Sequence, residues 1–305
     1  MKVTVIGTIN KDLILPFKGV AIESLGGVFY NIIILSELLG ENDQIVPVSY
    51  VGQDISEQVQ AILSKRPNIV PDGLVAIDQK NQKVILEYIS PEERREKALF
   101  NFPPLEWHHV EPFMDADMVI VNMITGWDIT LDVFRQIGQA AGDRLYLDIH
   151  FLLMGIDDLG RRFPRRPEDV EEWIRIPRFL QMNEREFRII SPNTLSEVEF
   201  HKTFLRNDQV LLVTKAGNGA VVVYESHGII GSKAFPAFTV PRIVDTTGCG
   251  DAFGAGFVAA YLQHGDIPNA VEYANLVAAA NAALPGSTEM YRLKEVMERL
   301  RQLSS

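Results

Sequence analysis

Residues 245–257, DTTGCGDAFGAGF, place a carboxylate directly behind a Gly-Cys-Gly run and follow it with small residues. Residues 241–244 precede this stretch and can end a strand, whereas residues 252–264 have the apolar periodicity of a helix. The Gly-Cys-Gly run is therefore predicted at a loop-to-helix junction. The first N–H groups of a helix lack intrahelical partners and lie at the positive end of its dipole, so such a junction favours phosphate.

Asp251 falls in the first turn of that predicted helix. A carboxylate there can simply complement the helix dipole. Beside a backbone anion site it can instead accept a proton from a hydroxyl whose oxygen attacks a bound phosphorus. The small residues 252 and 254–256 fit both interpretations, because they keep the loop free of bulk and also allow close helix packing. The sequence contains neither the dinucleotide-binding fingerprint nor a P-loop motif.

Composition restricts the class of protein. The chain has 305 residues, of which 47% are hydrophobic, and a net charge of −11, which argues against a nucleic-acid partner. Cys249 is the single cysteine, so an internal disulfide is excluded. The N-terminus lacks the apolar region of a signal peptide, and no run reaches about 18 apolar residues. We therefore expect a cytoplasmic protein that does not enter the membrane.

Apolar β-type runs alternate with helical patterns along the chain, which predicts one α/β domain over residues 1–305 with a mainly parallel central sheet flanked by helices. Strands are predicted at residues 3–6, 44–50, 118–121, 145–148, 179–182 and 210–214, and a hairpin at 220–224 and 228–233. Helices are predicted at residues 28–39, 55–65, 129–141, 252–264, 267–283 and 293–302.

Some short β-type segments do not fit that sheet. Residues 13–17 with 20–23, and 74–77 with 84–89, are predicted to form a small β lid drawn from about residues 12–25 and 74–104. The mixed charged run at residues 161–172 is predicted to be a solvated loop and helix start. The lid region 91–104 shows no pattern that identifies a substrate, although Arg94 and Arg95 are candidates for binding a phosphorylated acceptor.

The opening stretch resembles the C-terminal signature of the ribokinase-like (PfkB) carbohydrate kinases, D-T-x-G-A/C-G-D followed by a small-residue helix. GGVFYNIIILSELLG at residues 26–40 and GTINKDLIL at residues 7–15 are similar to the family's N-terminal motifs. Further matches are YVGQD, QMNERE and VTKAGNGAVVV, at residues 50–54, 181–186 and 213–223. They come in family order over nearly the whole chain.

The resemblance implies ATP-dependent, Mg²⁺-assisted phosphoryl transfer to a sugar hydroxyl. It makes Asp251 the general base, and the N–H groups of Gly248, Cys249 and Gly250 the donors that hold the developing charge. It implies a sugar site at Asn10, Asp12, Gly26, Gly27 and Asn31. From the local sequence alone, without the resemblance, Asn10 can equally be a turn residue after a strand.

The resemblance also implies a nucleotide site and cation positions. Nucleotide contacts would come from Asn183, Thr214, Gly217, Gly219 and Asn275. Glu186 would organise Mg²⁺ through water. Asp245 and Thr247 match positions that help form a monovalent-cation loop in several relatives, but the matching segment 282–288 is shorter than usual, so K⁺ dependence stays open.

Alternatives also stay open. A nucleoside kinase of the same fold, or a non-catalytic sugar sensor, would share the motifs. The Cys249 thiol beside a helix N-terminus could be acidified and act as a nucleophile, with His150 or His264 as its base. His150 could contact phosphate or substrate, or be structural. Relatives pair through their lids, which predicts a homodimer.

Overall fold

A computed structural model of the chain describes residues 1–89, 94–99, 102–191, 195–287 and 289–304. Its strands are β1 (Lys2–Ile6), β2 (Ile9–Leu15), β3 (Ile22–Gly27), β4 (Gln44–Gly52), β5 (Leu74–Ile77), β6 (Lys83–Tyr88), β7 (Arg94–Leu99), β8 (Met118–Asn122), β9 (Leu145–Asp148), β10 (Met154–Ile156), β11 (Arg162–Pro164), β12 (Phe179–Asn183), β13 (Val210–Thr214), β14 (Ala220–Ser226) and β15 (Ile229–Phe235). Its α-helices are α1 (Val28–Leu38), α2 (Ser56–Leu63), α3 (Trp107–Val110), α4 (Leu131–Ala141), α5 (Val170–Arg175), α6 (Glu184–Ile190), α7 (Glu197–Phe204), α8 (Cys249–His264), α9 (Ile267–Ala282) and α10 (Leu293–Ser304).

The main sheet has nine strands in the order β15-β14-β13-β12-β9-β8-β1-β4-β5. Every pairing from β5 to β13 is parallel, and the hairpin β14–β15 adds two antiparallel strands at one edge. The central strands are continuous Val, Ile and Leu runs because both of their faces are buried. The predicted mainly parallel sheet with a late hairpin is confirmed.

Helices cover both faces of this sheet. Alternate residues of one strand point to opposite faces of the sheet and so enter different cores. In β8, Ile120 belongs to the core that packs under α1, α8 and α9. Val119 and Val121 belong to the core under α4 and α5 on the other face. Helices α8 and α9 pack side by side, and α8 also packs against α1. In the described part of the chain, no helix combines the length and apolarity needed to cross a bilayer.

A separate four-stranded sheet, in the order β3-β2-β6-β7, forms the lid. The predicted separate small sheet is confirmed, and its four strands overlap the predicted segments. Residues 90–93, 100 and 101 of the predicted lid lie outside the described residues. The prediction was wrong at residues 74–77. These residues are β5, which pairs in parallel with β4 at the edge of the main sheet, with Leu74 opposite Ser49. A four-residue apolar run fits either sheet, and only the tertiary pairing decides between them.

Two further predictions needed correction. Residues 161–172 are not simply a solvated loop, because β11 pairs antiparallel with β10 and the Arg162 side chain is only 2% exposed. Ala98 of β7 donates from its backbone N–H to the carbonyl of Gly160, so this hairpin also contacts the lid. Residues 241–244 do not end a strand; they form a loop in which Val244 N–H donates to the carbonyl of Ala282.

Candidate active site

A cavity of about 640 Å³ lies between the lid, the carboxyl ends of β9, β12 and β13, and the start of α8. Ligand sites of open parallel sheets form at this edge, because the connecting loops diverge there. The cavity wall brings together most of the predicted site residues: Asn10, Asp12, Gly27, Asn183, Glu186, Thr214, Gly217, Gly219, Thr247, Gly248, Cys249, Gly250, Asp251 and Asn275. Of the other predicted residues, Gly26, Asn31 and Asp245 lie outside the described lining.

The mouth of α8 has the predicted loop-to-helix geometry. The helix starts at Cys249, and Gly248 caps it in the left-handed conformation, with φ 76°. A Cβ atom on Gly248 would lie 2.4 Å from Cδ1 of Tyr30, so only glycine fits there. Cys249 N–H contacts the carbonyl of Thr246 at 3.3 Å, which leaves its neighbours Gly248 and Gly250 as the better candidates for binding an anion.

Asp251 lies in the first turn of α8 and is 7% exposed. The Nδ2 of Asn122 donates to its Oδ1 over 2.6 Å. Burial raises the pKa of Asp251 to about 6, against the opposing effect of the Asn122 hydrogen bond. Near neutral pH the group is therefore a proton acceptor held in a fixed orientation.

Asn122 was not among the predicted site residues. It ends β8, a buried strand at the centre of the parallel sheet. A polar residue at the carboxyl end of such a strand is the one signal in the sequence that could have found it.

Asn31 hydrogen-bonds to the first turn of α8 and to the end of β8. Its Nδ2 donates to the backbone carbonyl of Asp251 over 2.9 Å, and its Oδ1 accepts from Asn122 Nδ2, also over 2.9 Å. Both polar groups of this buried side chain are thus used inside the protein. Its position supports a positioning role and gives no support to the predicted sugar contact.

The lid strand β2 carries two buried polar residues into the cavity, Asn10 and Asp12. Asn10 lies on the strand and not in a turn, and its Oδ1 has no hydrogen-bond partner in the described part of the chain. A Cβ atom on Gly26 would fall 1.8 Å from Oδ2 of Asp12, so Gly26 makes room for that carboxylate. Gly27 has φ 63°, and a Cβ there would lie 2.2 Å from the Thr8 carbonyl oxygen.

Asp148, at the end of β9, is a third buried acid in the cavity, after Asp12 and Asp251, and was not among the predicted site residues. Gln181 Nε2 donates to its Oδ2 over 2.6 Å and to the Gly250 carbonyl over 3.0 Å, which links β12 to the first turn of α8. Burial and the nearby charges of Glu186 and Asp251 hold the pKa of Asp148 well above its ordinary value.

The N-x-x-E element forms a capping box at the start of α6. Asn183 Oδ1 accepts from the backbone N–H groups of Arg185 and Glu186, while Glu186 Oε2 accepts from the Asn183 N–H over 2.7 Å. Glu186 lines the cavity and is not a surface helix charge. Burial is the main reason that its pKa rises to about 7.

The other end of the cavity is lined by Thr214, Gly217, Gly219 and Asn275. Gly219 has φ 87°, and a Cβ there would lie 2.0 Å from the Phe235 carbonyl oxygen. Asn275 Nδ2 donates to the carbonyls of Phe235 and Pro236, each over 3.2 Å, so α9 is tied to the end of β15.

Cys249 is not acidified. Burial raises the pKa of its thiol to about 11, and its Sγ contacts Asn281 Nδ2 at 3.4 Å. The prediction of an acidified thiol was wrong, because desolvation outweighs the helix dipole at this position. His264 ends α8, about 22 Å away along the helix axis, which removes it as a base for this thiol.

His150 lines the cavity with φ 36°, a left-handed backbone conformation that non-glycine residues seldom adopt. Its ring packs edge-on against Phe151, with 4.2 Å between the ring centroids. A contact between His150 and substrate stays a prediction.

Parts of the chain are similar in sequence to known kinases. The chain is 42% identical over 81 residues to an ATP-dependent ribose-1-phosphate kinase of Halopiger xanaduensis, covering 27% of this chain and 26% of that protein. It is 30% identical over 127 residues to a nucleoside kinase of Methanocaldococcus jannaschii, covering 41% and 38% of the two chains. These matches thus span about a quarter and somewhat over a third of the relatives' lengths.

The fold is similar to that of Burkholderia thailandensis nucleoside kinase in complex with inosine, with a TM-score of 0.78, 19% identity, and coverage of 99% of this chain and 97% of that one. The sequence profile described as pfkB family carbohydrate kinase matches residues 2–292. Because that match extends over nearly the whole sequence, the chain belongs to the pfkB family of carbohydrate kinases.

Proposed function

We propose that the protein transfers the γ-phosphoryl group of ATP to a hydroxyl group of a sugar or sugar derivative. One observation carries the proposal: the buried Asp251 carboxylate, oriented by Asn122, lies in the first turn of α8 and shares one cavity with Asp12 of the lid. This arrangement combines a general base with a backbone anion site, which are the two contributions that phosphoryl transfer needs from a protein.

The reaction follows from these positions. Asp12 and Asn10 bind acceptor hydroxyls, and Asp251 takes the proton of the reacting hydroxyl. The acceptor oxygen forms a bond to the γ-phosphorus as the bond from that phosphorus to the β–γ bridging oxygen breaks, which releases ADP. The N–H groups of Gly248 and Gly250 stabilise the negative charge on the moving phosphoryl group.

Asp148, Asn183 and Glu186 have the chemistry of a magnesium environment. All three line the cavity and carry oxygen atoms that could bind a cation. Burial and the Glu186 charge raise the pKa of Asp148, and burial and the Asp251 charge raise the pKa of Glu186, which a bound cation would relieve. Magnesium keeps several waters and would take further ligands from the nucleotide phosphates, so these residues would act largely through water. When bound, the ion neutralises phosphate charge.

A potassium site at Asp245 and Thr247 is a separate prediction. Asp245 Oδ1 accepts from the Thr247 N–H over 2.9 Å, which closes a tight loop before α8. Thr247 Oγ1 is buried without a hydrogen-bond partner among the described residues, and an added cation could use this atom. Comparing ADP release in potassium and in tetramethylammonium chloride would test the site.

A nucleoside acceptor is the second candidate. Val84, Leu86 and Phe151 give the lid side of the cavity an apolar surface that could pack against a base. Both candidates use the same base and anion site, so they differ only in the acceptor.

The test is ADP release from ATP and Mg²⁺ in the presence of a panel of free sugars, nucleosides and sugar phosphates. We expect release with at least one acceptor, and a fall of about 10² to 10⁴-fold in kcat for Asp251→Asn. Asp143→Asn, an exposed acid after α4, is the matched control and should keep the parent rate. Parent turnover by Asp251→Asn with normal ATP binding would contradict the role of Asp251.

The panel also separates the rival classes. A non-catalytic sensor would bind a sugar without releasing ADP. A thiol enzyme would lose all activity on Cys249→Ala, whereas the proposed kinase uses only the backbone at that position and should retain most of its rate.

The lid supports the predicted homodimer. Its β2–β3 hairpin exposes Phe17, Val20 and Ile22, and the outer strand β7 exposes Leu99. We propose that two lids pair through this apolar surface.

A further inference from the structure

The lid side of the cavity contains a second carboxylate, Glu96, which comes from β7. We define the acceptor wall by the side chains that line this half of the cavity: Asn10, Asp12, Val84, Leu86, Glu96 and Phe151. The sequence motifs account for Asn10 and Asp12. They do not account for Glu96.

Glu96 and Asp12 lie on the same face of the lid sheet. Asp12 is opposite Val84 in the neighbouring strand β6, and Leu86, two residues further along β6, is opposite Glu96 in β7. Residues two apart in a strand share a face, so an apolar strip lies between the two carboxylates. Their strands are separated by β6, a distance of about 10 Å across the sheet.

Arg162 of β11 holds Glu96 in place. Its Nε lies 3.2 Å from Glu96 Oε1, and the exposed fractions of the two side chains are only 2% and 17%. The guanidinium also stacks on Phe151, with Cζ 3.6 Å from the ring centroid. The Nη2 of Arg162 donates to the Ile124 carbonyl over 3.2 Å. This network fixes the guanidinium, which in turn holds the Glu96 side chain in place beside the cavity.

The acceptor wall is rich in hydrogen-bond acceptors. Within the described part of the chain, Asn10 Oδ1 and Glu96 Oε1 are buried and make no hydrogen bond, and the contact of Glu96 with Arg162 is an ion pair without hydrogen-bond geometry. Asn10 is 4% exposed. A carboxylate, as at Asp12 and Glu96, only accepts hydrogen bonds, whereas the Asn10 side chain also carries a donor, Nδ2. A molecule that hydrogen-bonds to both carboxylates must therefore supply O–H or N–H groups.

Positive charge is scarce in the part of the cavity wall that the structure describes. The described lining contains neither lysine nor arginine, and it carries the acids Asp12, Glu96, Asp148, Glu186 and Asp251. Arg95 of the lid, a candidate for binding an acceptor phosphate, is exposed and outside that lining, and the side chain of Arg94 lies outside the described part of the structure. An anionic group on the acceptor would meet carboxylates at short range.

We propose that Glu96 is a specificity-determining residue, and that the acceptor is an uncharged polyhydroxyl compound, a free sugar or a nucleoside, rather than a sugar phosphate. Glu96 accepts a hydrogen bond from a hydroxyl or ring N–H at the end of the acceptor remote from Asp12. The inference rests on the proposed kinase function and adds the charge class of its acceptor.

The experiment measures kcat and KM for ADP release with D-ribose, inosine and ribose 1-phosphate, using the full chain and its Glu96→Gln and Glu96→Asp variants. The wild type should prefer a neutral acceptor to ribose 1-phosphate by 10-fold or more in kcat/KM. Because a hydrogen bond to a charged group is lost, Glu96→Gln should raise KM for that neutral acceptor about 10- to 100-fold and leave kcat within about threefold.

Two controls separate recognition from folding. Glu87→Gln removes an exposed carboxylate from the same lid sheet and should leave KM unchanged. Glu96→Asp keeps a carboxylate near Arg162, but its side chain is one methylene shorter and reaches less far into the cavity. It should therefore raise KM while its thermal midpoint stays close to that of the wild type.

Ribose 1-phosphate as the best acceptor would overturn this inference and leave the proposed function intact. Wild-type KM in both Glu96 variants would also overturn it. Failure to release ADP with any acceptor would overturn the proposed function, and this inference with it.

Discussion

At the scale of single residues, Asn122 lowers the proton affinity of Asp251, the proposed general base. Its Nδ2 donates to Asp251 Oδ1 and so opposes the rise in pKa that burial causes. A carboxylate accepts a proton only when ionised, so activity is present above the pKa of Asp251 and lost below it. We expect kcat/KM of the wild type to fall tenfold per pH unit below about 6.

Asn122→Ala removes the donor that stabilises the ionised form, so the acid limb of the pH profile should move to higher pH and kcat should fall about tenfold or more. The measurement is kcat/KM against pH from 5 to 9. Asn269→Ala, an exposed change in α9, should leave the limb where it is. A lower kcat with an unmoved limb would show that Asn122 only supports the fold.

The residues around Asp251 differ in how far the sequence predicted them. Gly248 and Asp251 lie in one contiguous motif, where local chemistry indicates an anion site and a base. Asn122, Asp148 and Gln181 each come from a different strand, and they meet only because β8, β9 and β12 are neighbours in the sheet. Such a juxtaposition depends on strand order, which no local pattern encodes.

At the scale of elements, the small residues of α8 allow close packing of the helix. The sequence motif alone did not decide between this function and that of keeping the loop free of bulk. A Cβ on Gly256 would lie 2.9 Å from Cβ of Val277 and 3.1 Å from Cα of Ala274 in α9. A Cβ on Gly254 would meet Gln181 Oε1 at 3.1 Å on the sheet side. The glycines therefore allow α8 to approach both α9 and the sheet.

Gly256→Val should destabilise the protein. The atoms that the new side chain would meet, Val277 Cβ and Ala274 Cα, lie close to the backbone of α9 and cannot move aside as the end of a flexible side chain could. We expect a loss of about 1 to 3 kcal/mol in the free energy of unfolding, measured by urea denaturation. Gly231→Val in β15, where a Cβ would meet nothing within 4 Å, is the control and should change stability little. Equal stability of the two variants would contradict close α8–α9 packing.

Short elements were predicted least well, and the reason is physical. The runs 74–77 and 161–172 were assigned to the lid and to a solvated loop, yet β5 joins the main sheet and Arg162 is buried beneath β7. A strand of three or four residues has too few side chains to specify its partner, so tertiary contacts decide. Fully buried strands such as β8 were found because their apolar runs are unambiguous.

At the scale of the whole molecule, the alternation of strands and helices was enough to predict the α/β architecture and its mainly parallel sheet. The strand content of the lid was harder to predict from local patterns. Its sheet is assembled from β2, β3, β6 and β7, which come from separate parts of the first hundred residues. It leaves β3 as an open edge strand and an exposed apolar hairpin tip, whereas Ala98 of the other edge strand, β7, already donates to the Gly160 carbonyl. An open edge of this kind invites pairing with a second copy.

If two copies pair through their lids, the wild type should have a mass in solution near twice the 34.2 kDa of one chain. Val20→Asp/Ile22→Asp places charges on side chains that are 83% and 52% exposed, so it should shift the mass toward one chain without unfolding the domain. Ile229→Asp, at a 71% exposed position in β15 far from the lid, should keep the larger mass. Light scattering coupled to size exclusion distinguishes these outcomes. A wild type with the mass of one chain at micromolar concentration would contradict the dimer, and a double variant that keeps the larger mass would place the interface elsewhere.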